Sequence, residues 1–191
     1  MKKAPIMNGA VMLDKVVGEI QEGLINNIDW LDCAFGIAQR LVKEVHGKRI
    51  IMPGVYTGGK GANDYIDASP DSHLGNFVFF EAGEPQILDW QTGRQVDFKT
   101  PIAIIFWFDM RRIKGVDNNR NLESVKAEII KTLNGRNGFI LKNGRLTINR
   151  CFERAENIYK GYTLEEVDNQ FLMHPFGGFR FEGTLEYEEI C

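Results

Sequence analysis

The sequence predicts an α+β domain with a mostly antiparallel sheet. Three observations carry that expectation. Apolar residues follow a helical period near the amino terminus, strand-like segments follow one another between residues 76 and 110, and FRFEGTLEYEE near the end alternates strictly. The regular strand–helix alternation of parallel βαβ units is not the order of these segments.

Leu13, Val17, Ile20, Leu24, Ile28, Leu31, Phe35, Ala38, Val42 and Val45 recur at steps of three and four. This spacing predicts one long helix over 12–46, or two helices meeting at Asn26-Asn27-Ile28-Asp29, where N-cap residue types cluster. Gly47 after His46 is the expected stop. RIIMPGVYT, residues 49–57, reads as a short strand interrupted at Pro53, and the polar stretch 58–76 as a long loop. NFVFFEA and PQILDWQ read as strands about a Gly83-Glu84 turn. In VDFKTPIAIIFWFDM, 96–110, the apolar run of the second half reads as a central strand buried on both faces, with Pro101 placing its start at a bulge or edge.

LESVKAEIIKTLNG carries Leu122, Val125, Ile129 and Leu133 at helical spacing and is expected to pack on the sheet, capped by Asn121 and closed by Gly135. Asn143-Gly144 between apolar runs is a hairpin signal, and Thr163 to Glu166 has the form of a capping box for one helical turn. In the last strand Phe179, Phe181, Gly183, Leu185 and Tyr187 form the buried face. Arg180, Glu182, Thr184, Glu186 and Glu188 form a charged, wet one. The chain is expected to be a single domain over 1–191, with a long loop at 58–76 and an excursion at 135–175.

Composition narrows the function. A chain of 191 residues with 43% apolar residues can bury a substantial core. Its net charge of -3 gives no overall field for holding nucleic acid, so sequence-specific nucleic-acid binding is not expected. Cys33, Cys151 and Cys191 are odd in number and widely spaced, which fits a reducing compartment better than a disulfide framework. The opening MKKAPIMNGAVML lacks the apolar core of a signal peptide, and no apolar run has the length of a membrane span. A soluble, intracellular protein is expected.

Chemical motifs fail one by one. PGVYTGGKGAND, 53–64, approaches a phosphate-binding loop, but Gly61 stands where the magnesium-binding hydroxyl belongs and no helical pattern follows. His46, His73 and His174 lie far apart. Asp64, Asp67 and Asp71 share one loop without the order of a calcium-binding hand and read as solvated turn acids. Ser69, Ser72 and Ser124 lack a nucleophile context, and Cys33 beside Asp32 reads as a buried thiol. Phe77, Phe79, Phe80, Trp90, Phe106, Trp107 and Phe108 read as core rather than as a base-stacking surface, because no basic residue interleaves them. No catalytic residue, cofactor or metal is therefore expected, and action by shape and assembly is the reading that remains.

The order helix, strands, helix, strand resembles the tail-terminator proteins of long-tailed bacteriophages. IDWLDCAFGIAQRLV at 28–42, the loop from PGVY through YIDASPDSHLGNFVFF, and FLMHPFGGFRFEGTLEYEEIC are similar to proteins from prophages and mobile elements of Bacteroides-type bacteria. The resemblance implies a structural, non-enzymatic subunit of a hexameric ring that closes the tail tube and joins it to the head. Its partners would be copies of itself, tail-tube proteins and head–tail connector proteins. Its location would be the host cytoplasm during assembly and the virion tail afterwards. Under that reading Tyr56, Lys60, Asp64 and Tyr65 are candidates for an interaction loop, and Arg180, Glu182, Glu186 and Glu188 for the lumen or an outer sheet face. Two alternatives stay open: a small enzyme or ligand-binding domain with a pocket near the 54–67 loop, centred on Gly59, Lys60 and Asp64, and an adaptor for a host protein.

Overall fold

A computed structural model describes residues 10–57, 64–89, 95–116, 122–134, 141–163 and 172–190. One sheet organises them. Its strands are β1 (Cys33–Val45), β2 (Lys48–Tyr56), β3 (Tyr65–Asp67), β4 (Phe77–Ala82), β5 (Gln86–Asp89), β6 (Gln95–Asp109), β7 (Gly144–Phe152) and β8 (Phe176–Ile190). They run in the order β3-β2-β1-β4-β6-β8-β7, with β5 pairing β6 off this path. Every pairing is antiparallel except β1 with β4. The α+β class and the mostly antiparallel sheet are as the sequence predicts.

Helix α1 (Met12–Asn27) buries Val16, Val17, Ile20 and Leu24, and α2 (Glu123–Leu133) buries Val125, Ile129 and Leu133. Both join one core layer with Val78, Phe80, Ile104, Phe106, Phe108, Phe179, Phe181 and Leu185 of the sheet. The second helix thus packs on the sheet as expected. Its N-cap position is held by Leu122, without a side-chain cap, and its C-cap by Asn134. Asn121 and Gly135 lie outside the described residues.

The first correction concerns residues 28–46, which are not helical. The helix ends at Asn27, and β1 begins at Cys33. The apolar residues there serve two faces of a strand: Cys33 and Phe35 join one core layer, Ala34 and Ile37 the other. His46 and Gly47, at φ 50° and 75°, form the two-residue turn of the β1–β2 hairpin, across which Val45 pairs with Lys48. Two positive φ values in succession suit the twist of antiparallel strands, and Gly47 is the residue type that adopts one without strain.

A second core layer lies on the opposite face, built from Cys33, Phe35, Val55, Ala68, Phe77, Phe79, Ala103, Ile105 and Trp107. It is roofed by the short helix α3 (Ala155–Ile158) and the turn after it, whose Ile158 and Tyr159 are buried. Phe77, Trp107 and Phe176 stack in a row at centroid spacings of 5.5 and 5.4 Å. The described aromatics singled out as core are all fully buried; Trp90 lies outside the described residues. The excursion at 135–175 is therefore partly core, which its sequence hides because the apolar residues sit on an irregular segment without a period.

Smaller corrections follow. Pro53 does not interrupt β2, which runs through it opposite Arg40. Asn143-Gly144 is no hairpin turn, because β7 begins at Gly144 and the Glu19 carboxylate accepts bonds from the Asn143 amide and the Lys142 backbone N–H. Within the loop at 58–76, Tyr65–Asp67 forms the edge strand β3. Pro101 sits where one neighbour of β6 changes, Ile102 pairing with β4 and Lys99 with β5, but the pairing with β8 runs through it without the expected bulge. Of the capping box, only Thr163 is described, its N–H donating to Ile51 O at 2.8 Å.

Asn76, fully buried, fastens one end of the sheet. Its Nδ2 donates to Trp30 O at 3.1 Å, and its Oδ1 accepts from Asp109 N–H at 2.9 Å. Its own N–H donates to Asp32 Oδ2 at 2.8 Å. The beginnings of β1 and β4 and the end of β6 are thereby held together.

Candidate functional site

The pairing of β1 explains the most distinctive surface. β1 pairs with β4 only from Cys33 to Ile37, with an irregularity between Ala34 and Ile37. An irregularity of this kind bends a strand away from the sheet. From Ala38 to Val45 it pairs with β2 alone, so the two strands leave the sheet as a ribbon. Arg40, Val42, Lys43, Glu44, Lys48 and Arg49 on that ribbon are exposed, Val42 to 51%. Four basic residues against one acidic give it a positive charge.

Between the root of the ribbon and α1 lies a cleft of about 350 Å³, lined by Asp14, Val17 and Gln21 of the helix, Gly36, Ile37 and Gln39 of β1, and Tyr56 and Tyr65. Gln21 is fixed, its Nε2 donating to Ala34 O at 2.7 Å. The Tyr56 and Tyr65 rings stand 5.4 Å apart and inclined by 53°, and Tyr65 Oη donates to Gln39 Oε1 at 3.2 Å. Burial pushes the Asp14 carboxyl above its ordinary range. Among the described residues no Lys or Arg lines the cleft.

Two of the four candidate loop residues, Tyr56 and Tyr65, thus meet in this cleft. The Asp64 carbonyl accepts from the N–H and Oγ1 of Thr57 at 2.8 and 2.9 Å, closing the base of the loop. Lys60 lies outside the described residues, as do Gly59 and Gly61. Asp67 and Asp71 behave as turn acids, accepting from Ser69 N–H and His73 N–H at 2.9 and 2.8 Å.

Arg180, Glu182, Glu186 and Glu188 share one face of β8, but that face is not uniformly wet. Arg180 is 7% exposed. Its Nε donates to Glu182 and its Nη2 to Glu81, both at 2.7 Å, under the roof formed by Tyr159 and Tyr162. Burial opposes the guanidinium charge, but the two carboxylates raise its pKa overall. Arg180 Nη1 and Glu81 Oε1 are buried without a hydrogen-bond partner among the described residues. Burial, reinforced by the Glu81 carboxylate, pushes the Tyr162 phenol far up. Further along, Lys99 Nζ lies 2.9 Å from Glu186, which it holds below the usual carboxylate range, and Arg145 pairs across from the same glutamate. The four candidates therefore belong to a face of interleaved charge.

Among the described residues no group of three His, Cys, Asp or Glu could hold a metal ion, and no helix is long and apolar enough to cross a membrane. Cys33 is buried, and burial pushes the half-buried Cys151 thiol up to about 11. No family model matches the chain, and no curated protein matches it.

β1 and Asp14 were not legible as site residues, since the helical reading over 12–46 absorbed both, while 49–57 read as a strand without a partner. Gly36 in the middle of the supposed helix and the His46-Gly47 pair were the signals against that reading.

Proposed function

We propose that the chain is a structural, non-enzymatic subunit that assembles with copies of itself into a closed ring, in the manner of phage tail terminators, capping a tail tube and meeting connector proteins on the other side. The observation that carries this reading is the β1–β2 ribbon. A two-stranded ribbon is marginal in water, and although β3 and the Thr163 N–H support its root through β2, exposed Val42 further out has no core to join. A ribbon of this kind, reaching onto the next subunit, is a heterologous contact, the type that closes a ring by rotation. The loop at 58–76 and the face carrying Glu182, Glu186 and Glu188 remain the further surfaces for neighbours, tube or lumen. The test is Val42→Glu together with Arg49→Glu. Neither residue is in the core, so the double variant keeps its fold by circular dichroism and loses self-association in sedimentation. Unchanged self-association would remove the ribbon from the account.

A second reading, a ligand-binding domain, draws on the cleft between α1 and the ribbon. Its volume of about 350 Å³ is at the lower end for small-molecule sites. Mass spectrometry of the native protein from its own host would separate the two, because a retained small ligand on a monomer favours the second.

A further inference from the structure

We propose that the cleft of Asp14, Tyr56 and Tyr65 is an ammonium-binding site, taking an alkylammonium group against the two tyrosine rings with the Asp14 carboxylate as its counter-charge. This rests on the ligand-binding reading of the cleft, and the binding test stands whether or not the chain forms a ring.

Two aromatic rings inclined by 53° at 5.4 Å make two walls of a corner, and Tyr56 is 37% exposed, so ring surface is open to a ligand. The face of an aromatic ring carries negative charge density that attracts cations, and paired rings are a common way of recognising ammonium groups. Asp14 supplies a full negative charge once ionised and has no hydrogen-bond or ion-pair partner among the described residues. Among the described lining residues an anionic ligand would find no Lys or Arg to meet it. The remaining wall, Val17, Ile37 and Gly36, suits the alkyl part of the same ligand. Gln21 Nε2 and Gln39 Oε1 are already engaged with Ala34 O and Tyr65 Oη, and the charge and ring faces of the cleft come from Asp14, Tyr56 and Tyr65.

The ammonium group could come from a free amine or from a lysine of another copy, such as Lys43 or Lys48 on its ribbon. The chemistry is the same, and the test separates the sources.

Choline and its uncharged carbon analogue 3,3-dimethylbutan-1-ol are titrated into the full chain by calorimetry. Choline is expected to bind about tenfold tighter, the size of a cation–ring contact backed by a carboxylate. Asp14→Asn and Tyr65→Leu should each abolish that preference, whereas Tyr65→Phe should keep it, because the ring and not the hydroxyl carries the attraction. Equal binding of choline and the alcohol would overturn the ammonium assignment while leaving the cleft a ligand site. Binding of neither at millimolar concentration would overturn both. If choline but not the alcohol dissociates the self-associated protein, the natural ammonium belongs to a second copy. If association is unmoved, it belongs to a free amine.

Discussion

Replacing Arg180 with methionine tests the reading of the β8 face most severely. The guanidinium is 7% exposed and makes two charge-assisted bonds of 2.7 Å, to Glu81 and Glu182. Glu182 has 30% of its side chain exposed and can rehydrate, but the Glu81 side chain is only 16% exposed. Arg180→Met therefore leaves the Glu81 carboxylate without its counter-charge, with the Tyr162 phenol as a remaining polar neighbour. Removing one partner of a buried pair costs about 3–5 kcal/mol. The unpartnered Nη1 and Oε1 mean that the native pair is itself incompletely satisfied, which places the expected loss toward the lower end, about 3 kcal/mol. Replacing both charges, as Glu81→Met with Arg180→Met, should cost less than Arg180→Met alone, because no buried charge is left over. Urea unfolding with a shared slope reads both values. A loss below about 1 kcal/mol for Arg180→Met, the range of exposed pairs, would show that this face is as wet as its sequence suggests and refute the buried cluster.

Three further outcomes follow from the packing. Gly183→Ala places a Cβ against the Thr147 carbonyl oxygen of β7, so the β7–β8 ladder must shift; a loss of more than about 2 kcal/mol is expected in urea unfolding, and a neutral effect would contradict the register. Asn76→Ala leaves the Asp109 N–H and the Trp30 carbonyl without their partner in a fully buried site, with an expected loss of about 2–5 kcal/mol by thermal or urea unfolding. The Asp14 carboxyl is raised in the folded state by burial, so its contribution is fully present below its unfolded value, about 3.9, and is lost as pH rises through the folded value. Asp14→Asn should therefore gain stability relative to the parent as pH rises above about 4, and a difference independent of pH would contradict that burial.

How far the sequence could be read depended on whether one face or two were buried. β8 was legible because Phe179, Phe181, Leu185 and Tyr187 face a core while their neighbours carry charge, a clean two-residue period. β1 was not, because Cys33 and Phe35 serve one core layer and Ala34 and Ile37 the other, and the resulting spacing coincides with helical steps. Arg180 looked like its exposed neighbours because nothing in its own strand announces the roof of Ile158, Tyr159 and Tyr162. Of the cleft, Tyr56 and Tyr65 were reachable through the composition of their loop. Asp14 was not, since its place beside them is set by the packing of α1 across the root of the ribbon and by no local pattern.

Assembly through a ribbon into a closed ring fixes the mass of the unmodified chain in solution. Sedimentation over a wide concentration range, with and without magnesium, should resolve one closed species of about six subunits, since a heterologous contact that closes by rotation yields a fixed number. A monomer at every attainable concentration, or growth without limit into filaments, would contradict it.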